Sequence, residues 1–210
     1  MPQHTCTGAE CLVCFPELRC PPRFSLKTAL PRGEPNTPWP VPTTVRAALL
    51  ATFHDSRGLP VRQWPAVVVP STTVIVVAGA QEGAAWQVLV HQRRDNAWFG
   101  FPGGIQEVGE SIGACARREA LEETGLVVRL GRLVCVDSDP CQCAIGVYGA
   151  STRQFCNITF LATMVEGTLC PSRESRQLFW VDTDHLPEPF LPAHRWRLTQ
   201  AMTGTEVPVR

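Results

Sequence analysis

One segment of the chain, residues 103–126, constrains the fold more than any other, because it joins a glycine-rich turn to a crowded acidic helix. It reads GGIQEVGESIGACARREALEETGL. Ser111 is a suitable N-cap, since its hydroxyl can accept a hydrogen bond from a free backbone N–H of the first turn. Gly125 suits the left-handed position that commonly follows a helix C-terminus. The segment therefore predicts a helix from Ile112 to Thr124.

Three carboxylates lie on one side of this predicted helix. With 3.6 residues per turn, Glu119, Glu122 and Glu123 fall within an arc of roughly 100°. Glu119 and Glu123 are i,i+4 neighbours of like charge, which is unfavourable, whereas Arg118 stands at i,i+4 to Glu122 and can hold it. A solvated acidic face is the simplest interpretation, but it requires neither the adjoining stripe of small apolar residues nor the glycine-rich loop. A hard divalent cation such as Mg²⁺ explains the crowding, because it takes oxygen ligands and leaves positions for substrate phosphates.

The same segment resembles the Nudix box, G-x5-E-x7-R-E-U-x-E-E-x-G-U, in which U is a bulky aliphatic residue. The residues that match it are Gly104, Glu110, Arg118, Glu119, Glu122, Glu123, Gly125 and Leu126. Ala120 stands where Leu, Ile or Val is usual, a mild departure that leaves the charged positions intact. The chain thus resembles the Nudix hydrolase family over about residues 65–200. This resemblance implies an α/β/α sandwich with a mixed β-sheet.

The resemblance also implies an activity, which is hydrolysis of the pyrophosphate linkage in a nucleoside diphosphate joined to another moiety, such as ADP-ribose. It implies that Glu119, Glu122 and Glu123 bind Mg²⁺ or Mn²⁺, with the carbonyl of Gly104 as a further ligand. Two alternatives stay open. One is a nucleoside triphosphate pyrophosphohydrolase that cleans the nucleotide pool, and the other is a non-catalytic nucleotide-sensing or partner-binding module.

Further roles follow from the same resemblance. Arg118 is expected to orient the glutamates, and Glu110 to be a structural or outer partner near the loop. The general base is either a glutamate of the box or a glutamate on a later loop, for which Glu174 is the candidate. A solvated loop position explains Glu174 equally well.

Four residues before the glycine-rich loop are candidates for substrate binding. Arg93 and Arg94 end a predicted strand, so either could hold a phosphate, although surface salt bridges explain them equally well. Trp98 and Phe99 either stack on a base or ring of the substrate or pack in the core.

The composition of the chain changes near residue 42. Residues 1–42 contain nine prolines and four cysteines, and prolines at this density favour an extended arm without regular structure. The four cysteines, with spacing C-x4-C-x2-C-x5-C, are Cys6, Cys11, Cys14 and Cys20. A small structural Zn²⁺ site, free thiols and disulfides all remain open for them. We expect residues 43–210 to form the Nudix domain.

In the rest of this domain, the pattern of apolar and polar residues predicts more strands than helices. Strands are predicted at residues 72–78, 86–92, 127–136, 143–147, 155–165 and 177–181, and further helices at 45–53 and 193–202. Five later cysteines are expected to be small buried hydrophobic residues: Cys135, Cys141, Cys143, Cys156 and Cys170.

The net charge and the hydropathy of the chain limit the kinds of partner that it can bind. The chain has 19 basic and 19 acidic residues, a net charge of zero and no basic block, which argues against binding nucleic acid through phosphate neutralisation. No apolar stretch approaches the roughly 20 residues that span a bilayer, and no secretory signal is recognisable. We therefore expect a cytoplasmic protein whose partner is a small nucleotide substrate. Pairing into a homodimer stays open.

Overall fold

A computed structural model describes residues 43–78, 86–142, 145–149, 151–204 and 206–210. By internal contacts the chain divides into two units, Met1–Leu49 and Leu50–Arg210. The described part of the first unit lies in helix α1, Thr43–Leu50. The four N-terminal cysteines lie outside the described residues, so a zinc site, free thiols and disulfides all stay open for them.

The second unit is built on one mixed sheet. Its strands are β1 (Val67–Ala78), β2 (Gln87–Arg93), β3 (Phe99–Gly100), β4 (Leu126–Asp137), β5 (Ile145–Tyr148), β6 (Ser151–Gly167) and β7 (Ser175–Asp182). They are arranged in the order β3-β2-β1-β6-β4, with β5 also paired to β6 and β7 to β2. β1 and β6 run parallel from Val67↔Arg153 to Val77↔Thr163, and the other paired strands are antiparallel. The predicted mixed sheet is confirmed.

Two helices cover the two faces of this sheet. Helix α2 (Ile112–Thr124) buries Ala116 and Ala120 in a cluster with Val74 and Val76 of β1. Helix α3 (Pro192–Thr203) buries a leucine and an alanine, Leu198 and Ala201, in a second cluster that includes Ile75 and Val77. Alternate residues of β1 therefore face opposite helices, because successive strand side chains point to opposite sides. Each fully buried valine or isoleucine contributes about 1.5–3 kcal/mol of transfer free energy. This is the predicted α/β/α sandwich.

The ends of α2 lie where the sequence predicts them. Ser111 Oγ accepts a hydrogen bond from the Ala114 N–H at 3.2 Å, and Gly125 has the left-handed φ of 76°. Other boundaries differ from their predictions. α1 stops at Leu50, three residues early, and Phe53 joins a separate cluster with Val61 and Ile145. Strand β1 begins five residues early because its pairing with β6 extends it beyond its apolar run.

The later cysteines do not share one environment. Cys135 is buried as expected, Cys141 and Cys156 are partly buried, and Cys170 is exposed. Cys170 lies in the loop after β6, where its backbone N–H donates to the Thr124 carbonyl at 2.9 Å. Cys170 is thus held in place by a backbone hydrogen bond and not by burial of its thiol. Cys143 lies outside the described residues.

None of the helices that the structure describes combines the length and the apolar character needed to cross a membrane.

Candidate active site

The glycine-rich loop is held against β1 by its backbone. The Thr72 N–H donates to the Gly104 carbonyl at 2.8 Å, and the Val74 N–H donates to the Pro102 carbonyl at 2.8 Å. Gly103 has a φ of +152°, and a Cβ there would run into the Thr72 carbonyl oxygen. The close approach of loop and strand therefore requires glycine at this position.

The guanidinium of Arg118 bonds three acidic side chains of the box. It forms a fork with Glu110, with Nη2 at 2.7 Å from Oε1 and Nε at 3.1 Å from Oε2. Nη1 donates to Glu119 Oε1 at 2.8 Å and to Glu122 Oε2 at 3.1 Å. Nη2 also donates to the Ile105 carbonyl at 3.1 Å, which ties the helix to the loop. The predicted i,i+4 contact with Glu122 and the predicted position of Glu110 beside the loop are both present.

The three glutamates of the arc differ strongly in burial. The Glu122 side chain is 60% exposed, whereas Glu119 is 14% exposed and Glu123 is buried. The Glu123 Oε2 accepts a hydrogen bond from the Gly103 N–H at 2.8 Å. A Cβ on Gly104 would run into the Glu119 carboxylate. Two of the carboxylates thus press against the glycine-rich loop and the third faces solvent.

Burial and charge separate the pKa values of these groups. Burial is the main cause that raises the pKa of Glu123 to about 8, and it also raises the pKa of Glu119. Hydrogen bonds from Arg118 instead lower the pKa of Glu110 to about 2. Three carboxylates, those of Glu110, Glu119 and Glu122, therefore bond one guanidinium, and two glutamates of the arc, Glu119 and Glu123, are poorly hydrated. An arrangement of this kind is stabilised by a further cation.

The donor set has the right chemistry for a hard divalent cation, since it consists of carboxylate and carbonyl oxygens. Among the described residues, no three His, Cys, Asp or Glu side chains converge on a point that could hold a metal ion. Glu119 and Glu122 are both hydrogen-bonded to the Arg118 guanidinium. The Gly104 carbonyl oxygen accepts a bond from the Thr72 N–H at 2.8 Å and a long one from the Cys115 thiol at 3.9 Å.

The structure brings Glu174 and Arg93 near this cluster. The negative charge of Glu174 contributes to the raised pKa of Glu119 and of Glu123, while the charge of Arg93 acts on Glu123 in the opposite direction. Glu174 is exposed, and its backbone carbonyl accepts from the Arg94 N–H at 2.7 Å. The loop that carries Glu174 is therefore fixed to the end of β2.

The other predicted substrate-binding residues have different surroundings. Arg93 forms a salt bridge with Asp95 at 3.0 Å, and Arg94 donates from Nη2 to the Ser175 carbonyl at 3.1 Å. Phe99 is buried in the core with its ring edge-on to Phe179, which agrees with the packing alternative. Trp98 is partly buried and lies just before β3.

A cavity of about 100 Å³ opens beside the loop on the α3 face of the sheet. Its lining includes Gly103, Gly104, Arg93, Asn157, His194 and Arg197. The last three residues were not identified from the sequence. His194 and Arg197 could have been identified from the sequence, because they interrupt an otherwise apolar face of the C-terminal helix.

Comparison with known proteins agrees with the fold and the box. The family model of the NUDIX domain matches residues 69–202. A MutT-like protein of Streptomyces ambofaciens is 28% identical over 141 residues, which are 67% of this chain and 84% of that protein. An ADP-ribose pyrophosphatase of Methanocaldococcus jannaschii is 28% identical over 109 residues, which are 49% of this chain and 58% of that protein. A crystal structure of an ADP-ribose pyrophosphatase from Streptococcus suis has a TM-score of 0.50 at 20% identity, covering 68% of this chain and 98% of the other.

The family match covers more than half of the chain, and the fold is similar to that of the solved structure. The chain belongs to the NUDIX family and is a Nudix hydrolase. Members of this family generally use divalent metal ions such as Mg²⁺ or Mn²⁺.

Proposed function

We propose that this protein hydrolyses the pyrophosphate linkage of a nucleoside diphosphate joined to another moiety, with ADP-ribose or a similar conjugate as substrate, in the presence of Mg²⁺ or Mn²⁺. The observation that carries the proposal is a cluster of four glutamates beside the loop: three of them bond Arg118, and two of them, Glu119 and Glu123, are poorly hydrated and lie against the loop. The ADP-ribose pyrophosphatase from M. jannaschii supports the choice of substrate class.

Glu119, Glu122 and Glu123 would hold the cation, with the Gly104 carbonyl as a further ligand. When bound, it would neutralise charge on the phosphoryl oxygens and align the attacking water. Arg118 orients the glutamates through its bonds to Glu119 and Glu122.

Two residues support these roles from outside the ligand set. Glu110 keeps the Arg118 guanidinium in place through a fork of two hydrogen bonds. Glu174 is our candidate for the general base, because its carboxylate is exposed and its charge acts on Glu119 and Glu123. A box glutamate is the alternative base. Loss of rate in Glu174→Gln, with an unchanged thermal response to Mg²⁺, supports Glu174.

A panel of nucleotide substrates tests the function. The full chain is incubated with ADP-ribose, other nucleoside diphosphate conjugates and nucleoside triphosphates, with Mg²⁺ or Mn²⁺, and products are separated by chromatography. AMP plus ribose 5-phosphate from ADP-ribose is the expected result. If a nucleoside triphosphate instead yields nucleoside monophosphate and pyrophosphate, the protein is a nucleoside triphosphate pyrophosphohydrolase and our proposal is wrong. Tight binding without turnover of any nucleotide would instead support a sensing module.

Metal binding has a readout that does not depend on turnover. Mg²⁺ should raise the melting temperature of the wild-type protein, since a ligand that binds only the folded state stabilises it by mass action. The rise should be smaller in Glu119→Gln. We further propose a cytoplasmic location, and size-exclusion chromatography with light scattering would decide whether two copies pair.

A further inference from the structure

His91 is a buried polar side chain outside the acidic cluster. It is 1% exposed and lies on β2, opposite Leu178 of β7. Its Nδ1 is 2.9 Å from the hydroxyl of Ser175, which is fully buried as well. Its Nε2 is buried and has no hydrogen-bond partner among the described residues. Because a buried polar atom without a partner is unfavourable, the stability of the core does not explain a histidine at this position.

An irregularity in β7 brings the Ser175 hydroxyl to His91. The register of β7 against β2 shifts by one residue between Gln177 and Ser175, which leaves Arg176 as an extra residue in β7. Arg176 and Gln177 are both exposed, whereas Ser175 is buried, so the usual alternation of inward and outward side chains is interrupted here. A bulge of this kind redirects side chains. Ser175 therefore points into the core in the place of Arg176.

Ser175 directly follows Glu174, our candidate for the general base. The Glu174 carbonyl accepts from the Arg94 N–H at 2.7 Å, and the Ser175 carbonyl accepts from Arg94 Nη2 at 3.1 Å. The Glu174 N–H donates to Ser172 Oγ at 3.1 Å. Arg94 is exposed, so water competes for its bonds, whereas a hydrogen bond inside the protein is electrostatically stronger. The buried bond between Ser175 and His91 thus ties the turn that carries Glu174 to the interior of the sheet.

The same turn lies on the side of the sheet that carries the acidic cluster. Residues directly opposite on antiparallel strands point to the same face, and Leu178, opposite His91, packs against the core cluster that contains helix α2. The negative charge of Glu174 contributes to the raised pKa values of Glu119 and Glu123, which places its carboxylate close to theirs. A change in the turn would therefore move Glu174 relative to the glutamates of α2.

We propose that His91 and Ser175 are positioning residues, which hold the carboxylate of Glu174 at the acidic cluster through the turn that carries it. The inference rests on the proposed function, in which Glu174 accepts a proton from the attacking water. Since both residues are buried, they act through Glu174 and do not touch the substrate. Loss of their bond should lower kcat and leave KM unchanged.

The variant Ser175→Ala removes the hydroxyl without adding bulk. With ADP-ribose and Mg²⁺, its kcat should fall about tenfold to a hundredfold, since a small misplacement of a catalytic group has an effect of this size, while KM stays at the wild-type value. In the background of Glu174→Gln the same substitution should leave kcat unchanged, because the group that it misplaces is already absent. An equal fold loss in both backgrounds would overturn the proposal, and so would a wild-type kcat in Ser175→Ala.

The matched control is Thr152→Val, which also removes one buried strand hydroxyl. Thr152 is 2% exposed on β6, and its hydroxyl donates to Gln63 Oε1 at 3.1 Å, outside the acidic cluster. This variant should have wild-type kcat.

A double variant, His91→Leu with Ser175→Ala, separates positioning from stability. It replaces both partners of the bond by apolar side chains, which can leave stability unchanged. Its kcat should fall as in Ser175→Ala although its melting temperature stays near that of the wild type. A wild-type kcat in the double variant would contradict the proposal.

Amide hydrogen exchange tests the support of the turn without turnover. The Arg94 N–H, which is bonded to the Glu174 carbonyl, should exchange about tenfold faster in Ser175→Ala than in the wild type or in Thr152→Val. The Ala97 N–H, which is bonded within the turn after β2, should keep its rate in all three proteins. An unchanged rate at Arg94 in Ser175→Ala would overturn the proposal.

Failure of the proposed function has a different signature. If the substrate panel yields no hydrolysis while the Arg94 N–H of Ser175→Ala still exchanges faster, the assigned reaction is wrong and the support of the Glu174 turn by His91 and Ser175 stands.

Discussion

The backbone N–H of Gly103 donates to the buried carboxylate of Glu123 over 2.8 Å, across twenty residues of sequence. This bond places the most buried acid of helix α2 directly against the glycine-rich loop. Since the same loop is bonded to β1 through Gly104 and Thr72, the helix, the loop and the central strand form one connected unit. Changes in any of the three should therefore affect the acidic cluster.

Substitution by alanine should have different effects on stability at two neighbouring glycines, Gly103 and Gly104. In Gly103→Ala the new Cβ meets the backbone of Thr72, which cannot move without disturbing β1. We expect a loss of about 1–3 kcal/mol in unfolding free energy. In Gly104→Ala the atoms nearest to the Cβ are those of the Glu119 carboxylate, at the end of a flexible side chain, so the fold should survive while the hydrolysis rate falls. Denaturant unfolding and initial rates on both variants check this, and equal stability losses would contradict it.

Replacing Arg118 by lysine should destabilise the protein although the charge is kept. A lysine cannot reproduce the fork to Glu110 or reach the Ile105 carbonyl together with two further carboxylates. We expect unfolding free energy to fall by about 1–3 kcal/mol. Arg117→Lys, at the exposed neighbouring position, is the matched control and should leave stability within experimental error. Chemical denaturation of both variants measures the difference, and similar values would show that charge alone matters.

The variant Glu122→Gln should lose activity and keep its fold. Its side chain is 60% exposed, so its removal costs little packing, whereas a metal ligand contributes several kcal/mol to the transition state. We expect kcat to fall by about two orders of magnitude or more, with an unchanged circular dichroism spectrum. Glu166→Gln, at an exposed glutamate on β6, should have wild-type kcat. A normal kcat in Glu122→Gln would refute the assignment of metal chemistry to α2.

Acidification should destabilise the fold through His91. Burial is the main cause that lowers the pKa of His91 from 6.5 to about 4, and its Nδ1 is hydrogen-bonded to Ser175 Oγ at 2.9 Å. Between these two pH values the unfolded chain binds more protons at this residue than the folded one. The stabilising contribution is therefore complete above pH 6.5 and is lost as the pH falls towards 4, with a slope of at most about 1.4 kcal/mol per pH unit.

The variant His91→Gln isolates this contribution from that of the glutamates. Burial of Glu119 and Glu123 raises their pKa values and so acts in the opposite direction. The difference in unfolding free energy between wild type and His91→Gln, measured from pH 7 to pH 4, should shrink as the pH falls. A difference that stays constant would show that His91 does not titrate in this way.

The features that could be predicted from the sequence depend on interactions between residues close together in the chain. The caps Ser111 and Gly125 define the ends of α2, because capping depends on residues within one turn. The alternation in β1 follows from the two-residue period of a strand. The end of α1 was predicted too late, since Phe53 is drawn into a cluster with residues distant in sequence.

The local sequence is enough to place three glutamates on one arc of a helix with defined ends, because helical geometry acts over three or four positions. The burial of Glu123 against Gly103 and the exposure of Glu122 instead depend on how closely the loop, the helix and the strand approach one another. The same holds for Arg197, Asp137 and Arg210, which are joined by hydrogen bonds to the Asp137 carboxylate. These residues meet because α3 packs on the sheet and Val209 pairs with Val136, and no local spacing encodes contacts between segments so far apart in the chain.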